Sequence, residues 1–210
     1  MKPVIQKTLI VLLLGAGLSA CVPLPLLLGG GAVAGGVMVA SDRRTTGTVV
    51  EDNAIQLKAS NRIDDNLGDR VHVNVTSYNR QILLTGEVPS EQDKQLVAKV
   101  VSGVENLRGV VNELAVLGNS TFTQRSNDAL VTSRVKANLI DAKDLFASAF
   151  KVTTERGTVY LMGRVTQRES NRATEVVTAT TGVQRLVRIL EIISEDELAH
   201  MLPQPADAKK

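Results

Sequence analysis

The most constraining feature of this sequence is an internal repeat, because a unit of about 70 residues occurs twice after residue 44. Each copy opens with a segment whose apolar residues recur four positions apart, which places them on one face of a helix. These residues are Ile55, Ala59, Ile63 and Leu67 in the first copy and Val131, Val135 and Leu139 in the second. The repeat predicts two small, similar domains rather than one large one.

Two strands are predicted after each of these helices. In the first copy Val71, Val73 and Val75 alternate with polar residues, the period of a half-buried strand, and the return strand QILLTGEV follows a turn at 78–80. In the second copy FKVTT, a turn at 155–157 and TVYLMGRV follow in the same order. Gly86 and Gly163 occupy equivalent places, where a glycine often marks a bulge or the close approach of another backbone.

A second helix and a third strand complete each copy. Ser90 with Asp93, and Thr166 with Glu169, have the spacing of helix N-caps. Gly103 and Gly182 follow these helices, where a glycine readily adopts the left-handed conformation of a C-cap. The strands VVNELAVL and LVRILEII then close the units. This order predicts an α+β fold in which a three-stranded mixed sheet buries one face beneath two helices.

Cys21 is the only cysteine among 210 residues, and it follows a basic start, a short apolar run and the small residues Ser19 and Ala20. That layout is typical of a secretory signal. A disulfide within the chain is impossible with one thiol, and the apolar run is shorter than the ~20 residues of a membrane span. The stretch resembles a bacterial lipobox, which implies cleavage after residue 20 and acyl and diacylglyceryl groups on Cys21. Val22, in place of an aspartate, implies sorting to the outer membrane.

Residues 22–40 contain no charged residue, two prolines and five glycines. A spanning helix and a flexible apolar tether are the two interpretations, and Pro23, Pro25 and the glycines favour the tether. We therefore assign residues 1–20 to a signal peptide and 21–44 to a lipidated tether. Asp42, Arg43 and Arg44 are expected to mark its exit toward water.

Charge is distributed unevenly between the copies. Residues 45–118 carry 7 basic and 10 acidic side chains, whereas residues 125–194 carry 11 basic and 7 acidic ones. The basic second copy is compatible with an anionic partner and equally with ordinary scatter. The chain has two Tyr, three Phe and no Trp, so it lacks the aromatic platforms on which base-stacking proteins depend, and no nucleic-acid partner is expected.

Taken together, these motifs resemble those of lipoproteins with two BON domains. The resemblance is carried by LSAC, by the paired glycines in LLTGEV and YLMGRVTQRE, by SGV and TGV, and above all by KVTTERGTVYLMGRVTQRE. It implies BON domains at 45–117 and 127–194, a linker at 118–126 and a flexible tail at 195–210. It also implies a non-enzymatic protein of the outer membrane, facing the periplasm, that supports envelope integrity. The second domain of such proteins binds anionic phospholipid and helps localisation to the division site.

The candidate lipid-contacting residues belong to the first helix of the second copy, predicted from residue 127 to 140, and to the segment that follows it. Leu130, Ile140 and Phe146 project away from the core face or follow it, and Arg134, Lys136 and Lys143 flank them. Apolar residues beside basic ones suit a lipid-headgroup interface. The alternative is that the three apolar residues are core. In the family, a tryptophan equivalent to Leu130 and a leucine equivalent to Ile140 belong to the lipid-contacting helix.

Two other classes of protein compete with a lipid-binding module. An enzyme needs a positioned acid, base, nucleophile or metal, and His72, His200 and a lipidated Cys21 form no motif for one, so no metal site and no cofactor beyond the lipid on Cys21 is expected. A protein-interaction scaffold, with the acidic first domain docked on envelope proteins such as assembly machinery or a regulator of cell-wall hydrolases, stays open.

Overall fold

The computed structural model describes residues 42–201. The predicted signal peptide, Cys21, most of the predicted tether and the last residues of the tail therefore lie outside the described residues. The first domain consists of α1 (Thr46–Leu67), a 3-10 turn (Gly68–Arg70), β1 (His72–Tyr78), β2 (Gln81–Val88), α2 (Glu91–Ser102), β3 (Gly109–Asn112) and β4 (Ala115–Val116).

The second domain repeats this order. Its elements are α3 (Phe122–Asp141), a 3-10 turn (Ala147–Ala149), β5 (Phe150–Glu155), β6 (Thr158–Thr166), α4 (Gln167–Thr178), β7 (Arg185–Ile193) and α5 (Glu195–Met201). Two boundaries differ from the prediction. Residues 122–126, assigned to the linker, belong to the beginning of α3, because Thr121 caps this helix and forms a capping box with Gln124 in its first turn. Residues 195–201, assigned to the tail, form α5, whose Leu198 is buried.

Each domain contains one mixed sheet, as predicted. β1 pairs antiparallel with β2, and β3 and β4 pair parallel with successive parts of β2. β6 is likewise the central strand between antiparallel β5 and parallel β7. The predicted strand VVNELAVL is divided into β3 and β4, because the Asn112 side chain accepts a hydrogen bond from the Leu114 amide and donates one to the Lys94 carbonyl.

Two helices cover one face of each sheet, and the predicted apolar faces are confirmed. In the first domain Ile55, Ala59, Ile63 and Leu67 pack with Val97 and Val101 of α2 and with Ile82 and Leu84 of β2. In the second domain Val131, Val135 and Leu139 pack with Ala173 and Val177 of α4 and with Val159 and Leu161 of β6. Both helix pairs therefore close a core that consists mainly of aliphatic residues, with Phe150 as an aromatic member in the second domain.

The opposite faces of the two sheets pack against each other, which the sequence did not predict. Tyr78 and Leu83 of the first domain form one buried cluster with Tyr160 and Met162 of the second. The Tyr78 hydroxyl donates to the Ala149 carbonyl and accepts from the Arg164 amide, both at 3.3 Å. Both faces of the first sheet are therefore buried at β2. This explains why Ile82, Leu83 and Leu84 are consecutive apolar residues instead of alternating with polar ones. The two domains thus share a third core.

A buried aspartate of the first helix fixes the tight turn between the first two strands of each domain. Asp52 accepts hydrogen bonds from the amides of Asn79 and Arg80, at 2.8 and 2.7 Å. Asp128 accepts from the amides of Arg156 and Gly157, both at 2.8 Å. All four turn residues have positive φ, so the carboxylates satisfy the amides of a conformation that non-glycine residues rarely adopt.

The close backbone approach predicted at the two strand glycines is confirmed, whereas the left-handed C-caps predicted at the two helix ends are wrong. A Cβ on Gly86 would collide with the His72 carbonyl oxygen, and one on Gly163 would lie 2.5 Å from the Ala149 carbonyl oxygen. Both glycines therefore allow the close approach of backbone. Gly103 has φ −80°, so it is not a left-handed cap. Gly182 has φ +99° but follows the α4 cap residue Ala179 by three positions.

Candidate functional site

The three apolar side chains singled out in the sequence are exposed in the structure. Leu130 is 55% exposed, Ile140 69% and Phe146 48%. Leu130 and Ile140 lie on α3 outside the buried face formed by Val131, Val135 and Leu139, since those positions already pack against α4 and the sheet. The alternative that Leu130, Ile140 and Phe146 are core residues is therefore wrong.

Phe122 adds an exposed aromatic ring to the same face and was missed in the sequence. Its side chain is 79% exposed. It precedes Ile140 by 18 residues, which is five full turns at 3.6 residues per turn, so both project from one side of α3. The prediction placed Phe122 in a linker. The Thr121-x-x-Gln124 capping-box spacing was the signal that could have extended the helix to it.

Two of the predicted basic residues lie beside these apolar side chains, Arg134 next to Leu130 and Lys136 next to Ile140, and Lys143 follows the end of the helix. Arg134, Lys136 and Lys143 are all exposed. Lys136 lies one turn before Ile140 on α3, and an Arg134 guanidinium nitrogen is 3.5 Å from the Thr181 carbonyl oxygen. We call the surface formed by Phe122, Leu130, Ile140, Phe146 and these three basic residues the α3 face. It presents apolar groups with positive charge at their margins.

A groove of about 480 Å³ lies beside Ile140, between α3, the following 3-10 turn and β5. Its walls are mainly apolar and are formed by Asp42, Lys136, Leu139, Ile140, Ala147, Ser148, Phe150 and Val152. Its volume is within the range of small-molecule pockets. The groove extends the α3 face with a concave apolar surface.

The segment before α1 is packed against the second domain rather than exposed. Arg43 forms a bidentate ion pair with Glu169, at 2.6 and 2.7 Å, and donates to the Arg164 carbonyl at 2.9 Å. Both side chains of the pair are almost fully buried. The expectation that Asp42, Arg43 and Arg44 turn toward water is therefore wrong for Arg43, because a buried carboxylate in the second domain recruits its charge.

The Glu169 carboxylate also belongs to the N-terminus of α4. Desolvation raises the pKa of Glu169, but the hydrogen bonds from Arg43 and from the Thr166 amide outweigh it and hold the pKa below its ordinary value. The Arg43 guanidinium carbon lies 5.8 Å from the centroid of the Phe146 ring. The beginning of the described chain is thus fixed beside the α3 face.

Comparison with known proteins now identifies the kind of protein. The sequence pattern of the BON domain matches residues 51–118 and 127–193. The chain belongs to the BON domain family, and it has two such domains.

Three relatives show how far the similarity extends. The chain is 36% identical over 186 residues to Outer membrane lipoprotein DolP of Haemophilus influenzae, which covers 87% of this chain and 94% of that protein. It is 26% identical over 154 residues to the 21 kDa hemolysin of Actinobacillus pleuropneumoniae, covering 72% and 79%. It is 31% identical over 155 residues to Osmotically-inducible protein Y of Escherichia coli, covering 71% and 76%. This chain is a dual-BON protein similar to DolP.

Within residues 42–201, no helix combines the length and the apolar character that crossing a bilayer requires.

Proposed function

We propose that this protein is an outer-membrane lipoprotein that supports envelope integrity, with lipid on Cys21 as its anchor and the periplasm on its folded side. Its second BON domain binds anionic phospholipid through the α3 face and so helps localisation to the division site. The observation that carries this proposal is the exposure of Phe122, Leu130 and Ile140 on one helix. Exposed apolar groups beside basic residues are typical of interfacial membrane contact.

The contact is expected to be weak by itself. A fully inserted Leu or Ile contributes ~1.5–3 kcal/mol, and a basic residue near an anionic surface contributes about 1 kcal/mol. Part of this free energy is lost when the surface becomes ordered at the membrane. A lipid anchor makes such weak binding sufficient, because tethering raises the effective concentration of the domain at the bilayer.

The described segment next to the tether supports this geometry. Asp42 lines the same groove as Ile140, and Arg43 lies against Phe146. A chain held by lipid upstream of residue 42 therefore enters the folded region beside the α3 face. The lipid anchor and the α3 face then contact the same membrane. The anchor holds the protein there, and the second domain determines which lipid is preferred.

The test uses the chain from residue 42 onward, so that the anchor does not mask weak binding. We expect it to sediment with phosphatidylglycerol vesicles and to stay in solution with phosphatidylcholine vesicles. Leu130→Glu and Ile140→Glu should abolish sedimentation while the far-UV circular dichroism is unchanged. Leu57→Glu is the matched control, since Leu57 is 63% exposed on α1 of the first domain. Unchanged binding in both α3 variants would overturn the proposal.

A second candidate function is a scaffold for envelope proteins, and one observation favours it. Val50 and Leu57 are both exposed on α1, seven residues apart and so on one face of the helix. Photo-crosslinking residues placed at position 57 and at position 140 in intact cells distinguish the two functions. A protein captured from position 57 supports the scaffold, whereas lipid adducts from position 140 support the membrane contact.

A further inference from the structure

Three side chains with metal-binding atoms meet where the two domains adjoin. His72 of β1, Glu87 of β2 and Glu155 of β5 each offer one such atom, and these atoms lie within 4.8 Å of one another. His72 Nδ1 and Glu87 Oε2 are already 2.7 Å apart. Two of the residues belong to the first domain and one to the second, so the cluster joins the two sheets at one point.

The cluster carries excess negative charge in a buried place. Glu87 is fully buried and Glu155 is 8% exposed. Arg156 donates to Glu87 Oε1 at 2.6 Å and compensates one carboxylate. Glu155 accepts from the Asn74 side-chain amide at 2.9 Å, and this donor is neutral. Desolvation, with the neighbouring charges of Glu87 and Asp128, raises the pKa of Glu155. A buried carboxylate in this setting binds a proton or a cation more readily than an exposed one.

A cavity gives access to the cluster. It has a volume of about 610 Å³, and its walls include His72, Asn74 and Glu155 together with Asp128 and Arg125 of α3. A metal site needs such an entry path as well as its ligands. The cavity also supplies space for a water molecule next to His72 and Glu155, while Glu87 lies behind them.

We propose that His72, Glu87 and Glu155 form a binding site for a divalent metal ion of the zinc class that bridges the two BON domains. One imidazole nitrogen with carboxylate oxygens is a ligand set that suits Zn²⁺, and three protein ligands leave a fourth position for water from the cavity. Tetrahedral bonds of ~2.0–2.1 Å separate ligand atoms by about 3.3 Å. His72 and Glu87 therefore have to move apart by roughly half an ångström, while Glu155 moves inward.

Arg156 and Asn74 already hydrogen-bond to the two carboxylates that would hold the ion. A carboxylate has two oxygens, so Arg156 at Oε1 of Glu87 and Asn74 at Oε2 of Glu155 leave the other oxygen of each for the ion, which at Glu87 replaces the present hydrogen bond between Oε2 and His72 Nδ1. Ligating carboxylates are commonly oriented by such hydrogen bonds. From the sequence no metal site was expected at His72, and its partner Glu155 could not be recognised, because it is 83 residues away and no motif connects them.

The experiment is a titration of the metal-free, full-length protein in detergent, without a histidine tag, with Zn²⁺ in a calorimeter and with Co²⁺ followed by visible absorption. We expect one ion per chain, a Co²⁺ spectrum of a four-coordinate site, and displacement of Co²⁺ by Zn²⁺. His72→Gln and Glu155→Gln should abolish these signals, and Asn74→Ala should weaken affinity by about 10–100-fold. His200→Gln is the matched control, since His200 is the other histidine of the chain.

Retained binding in His200→Gln together with loss in His72→Gln supports the site. Absence of Zn²⁺ and Co²⁺ binding to the unaltered protein overturns the proposal, and this result does not depend on whether a variant folds. Binding that persists in His72→Gln also overturns it, because the ion then lies elsewhere.

Discussion

Arg43 and Glu169 form a buried bidentate ion pair across 126 positions of the chain, with nitrogen–oxygen distances of 2.6 and 2.7 Å. Arg43 precedes the first domain, whereas Glu169 caps α4 of the second. The pair therefore connects the segment next to the tether to the domain that carries the α3 face.

Removal of one partner of this pair should be costly. Arg43→Ala leaves a buried carboxylate without its counter-charge, and we expect the free energy of unfolding to fall by about 3–5 kcal/mol. Urea denaturation followed by far-UV circular dichroism measures the change. Arg168→Ala is the matched control, because Arg168 and Glu195 form an exposed pair at 3.5 Å, worth at most about 1 kcal/mol. Equal effects in both variants would contradict the assigned role of Arg43.

The shared core between the sheets predicts that the domains unfold together. Leu83 is fully buried in that core, so Leu83→Ala should lower the free energy of unfolding by about 2–5 kcal/mol and leave a single transition. Leu57→Ala removes the same atoms from an exposed position and should change it by less than about 0.5 kcal/mol. Denaturation in urea with a chelator present gives both values. Two separate transitions in the unaltered protein would show that the sheets do not share a core.

The close contact at Gly163 predicts a steric effect. In Gly163→Ala the new Cβ meets the carbonyl oxygen of Ala149, in the 3-10 turn directly before β5, and backbone must move. We expect a loss of about 1–3 kcal/mol of stability. Gly118→Ala is the control, since a Cβ there has no atom within 4 Å. A thermal melt compares the two, and a Gly163→Ala protein as stable as the control would disagree with the strand geometry.

Glu155 should make stability depend on pH in a defined direction. Its pKa is raised above the ordinary 4.5, so its ionised form destabilises the folded state at pH values above the folded pKa, and this penalty disappears as pH falls below about 4.5. Glu155→Gln should therefore stabilise the metal-free protein more at pH 7 than at pH 4. Urea denaturation at both pH values, with a chelator present, measures this difference. If Glu155→Gln stabilised the protein more at pH 4 than at pH 7, burial would not raise the pKa of Glu155.

Much of the fold could be predicted because local patterns and global packing agree. Apolar residues four apart in α1 and α3 and the caps Ser90 and Thr166 each depend on neighbours in sequence, and each was confirmed. The strand predicted at β1 is present, but its burial does not alternate, since Thr76 and Ser77 are buried as well as Val75. The repeat also strengthened the prediction, since a helix or strand pattern that is weak in one copy occurs again in the other.

What could not be predicted depends on contacts between distant residues. The contact of Tyr78 with Ala149 and Arg164, and the pairing of Arg43 with Glu169, arise only when two sheets pack together, and no local period encodes that. For the α3 face, sequence reasoning named Leu130 and Ile140 but left their exposure open. The structure resolved it, because α4 and the sheet already cover the opposite side of α3.

The position of Arg43 also has a consequence for the order of events during synthesis. Arg43 emerges from the ribosome 126 residues before Glu169, and at 5–20 residues per second the interval is roughly 6–25 s. During that time the arginine has no partner to join. The pair closes only after the second domain has acquired its helix α4, so its formation is a late step of folding although Arg43 is made early.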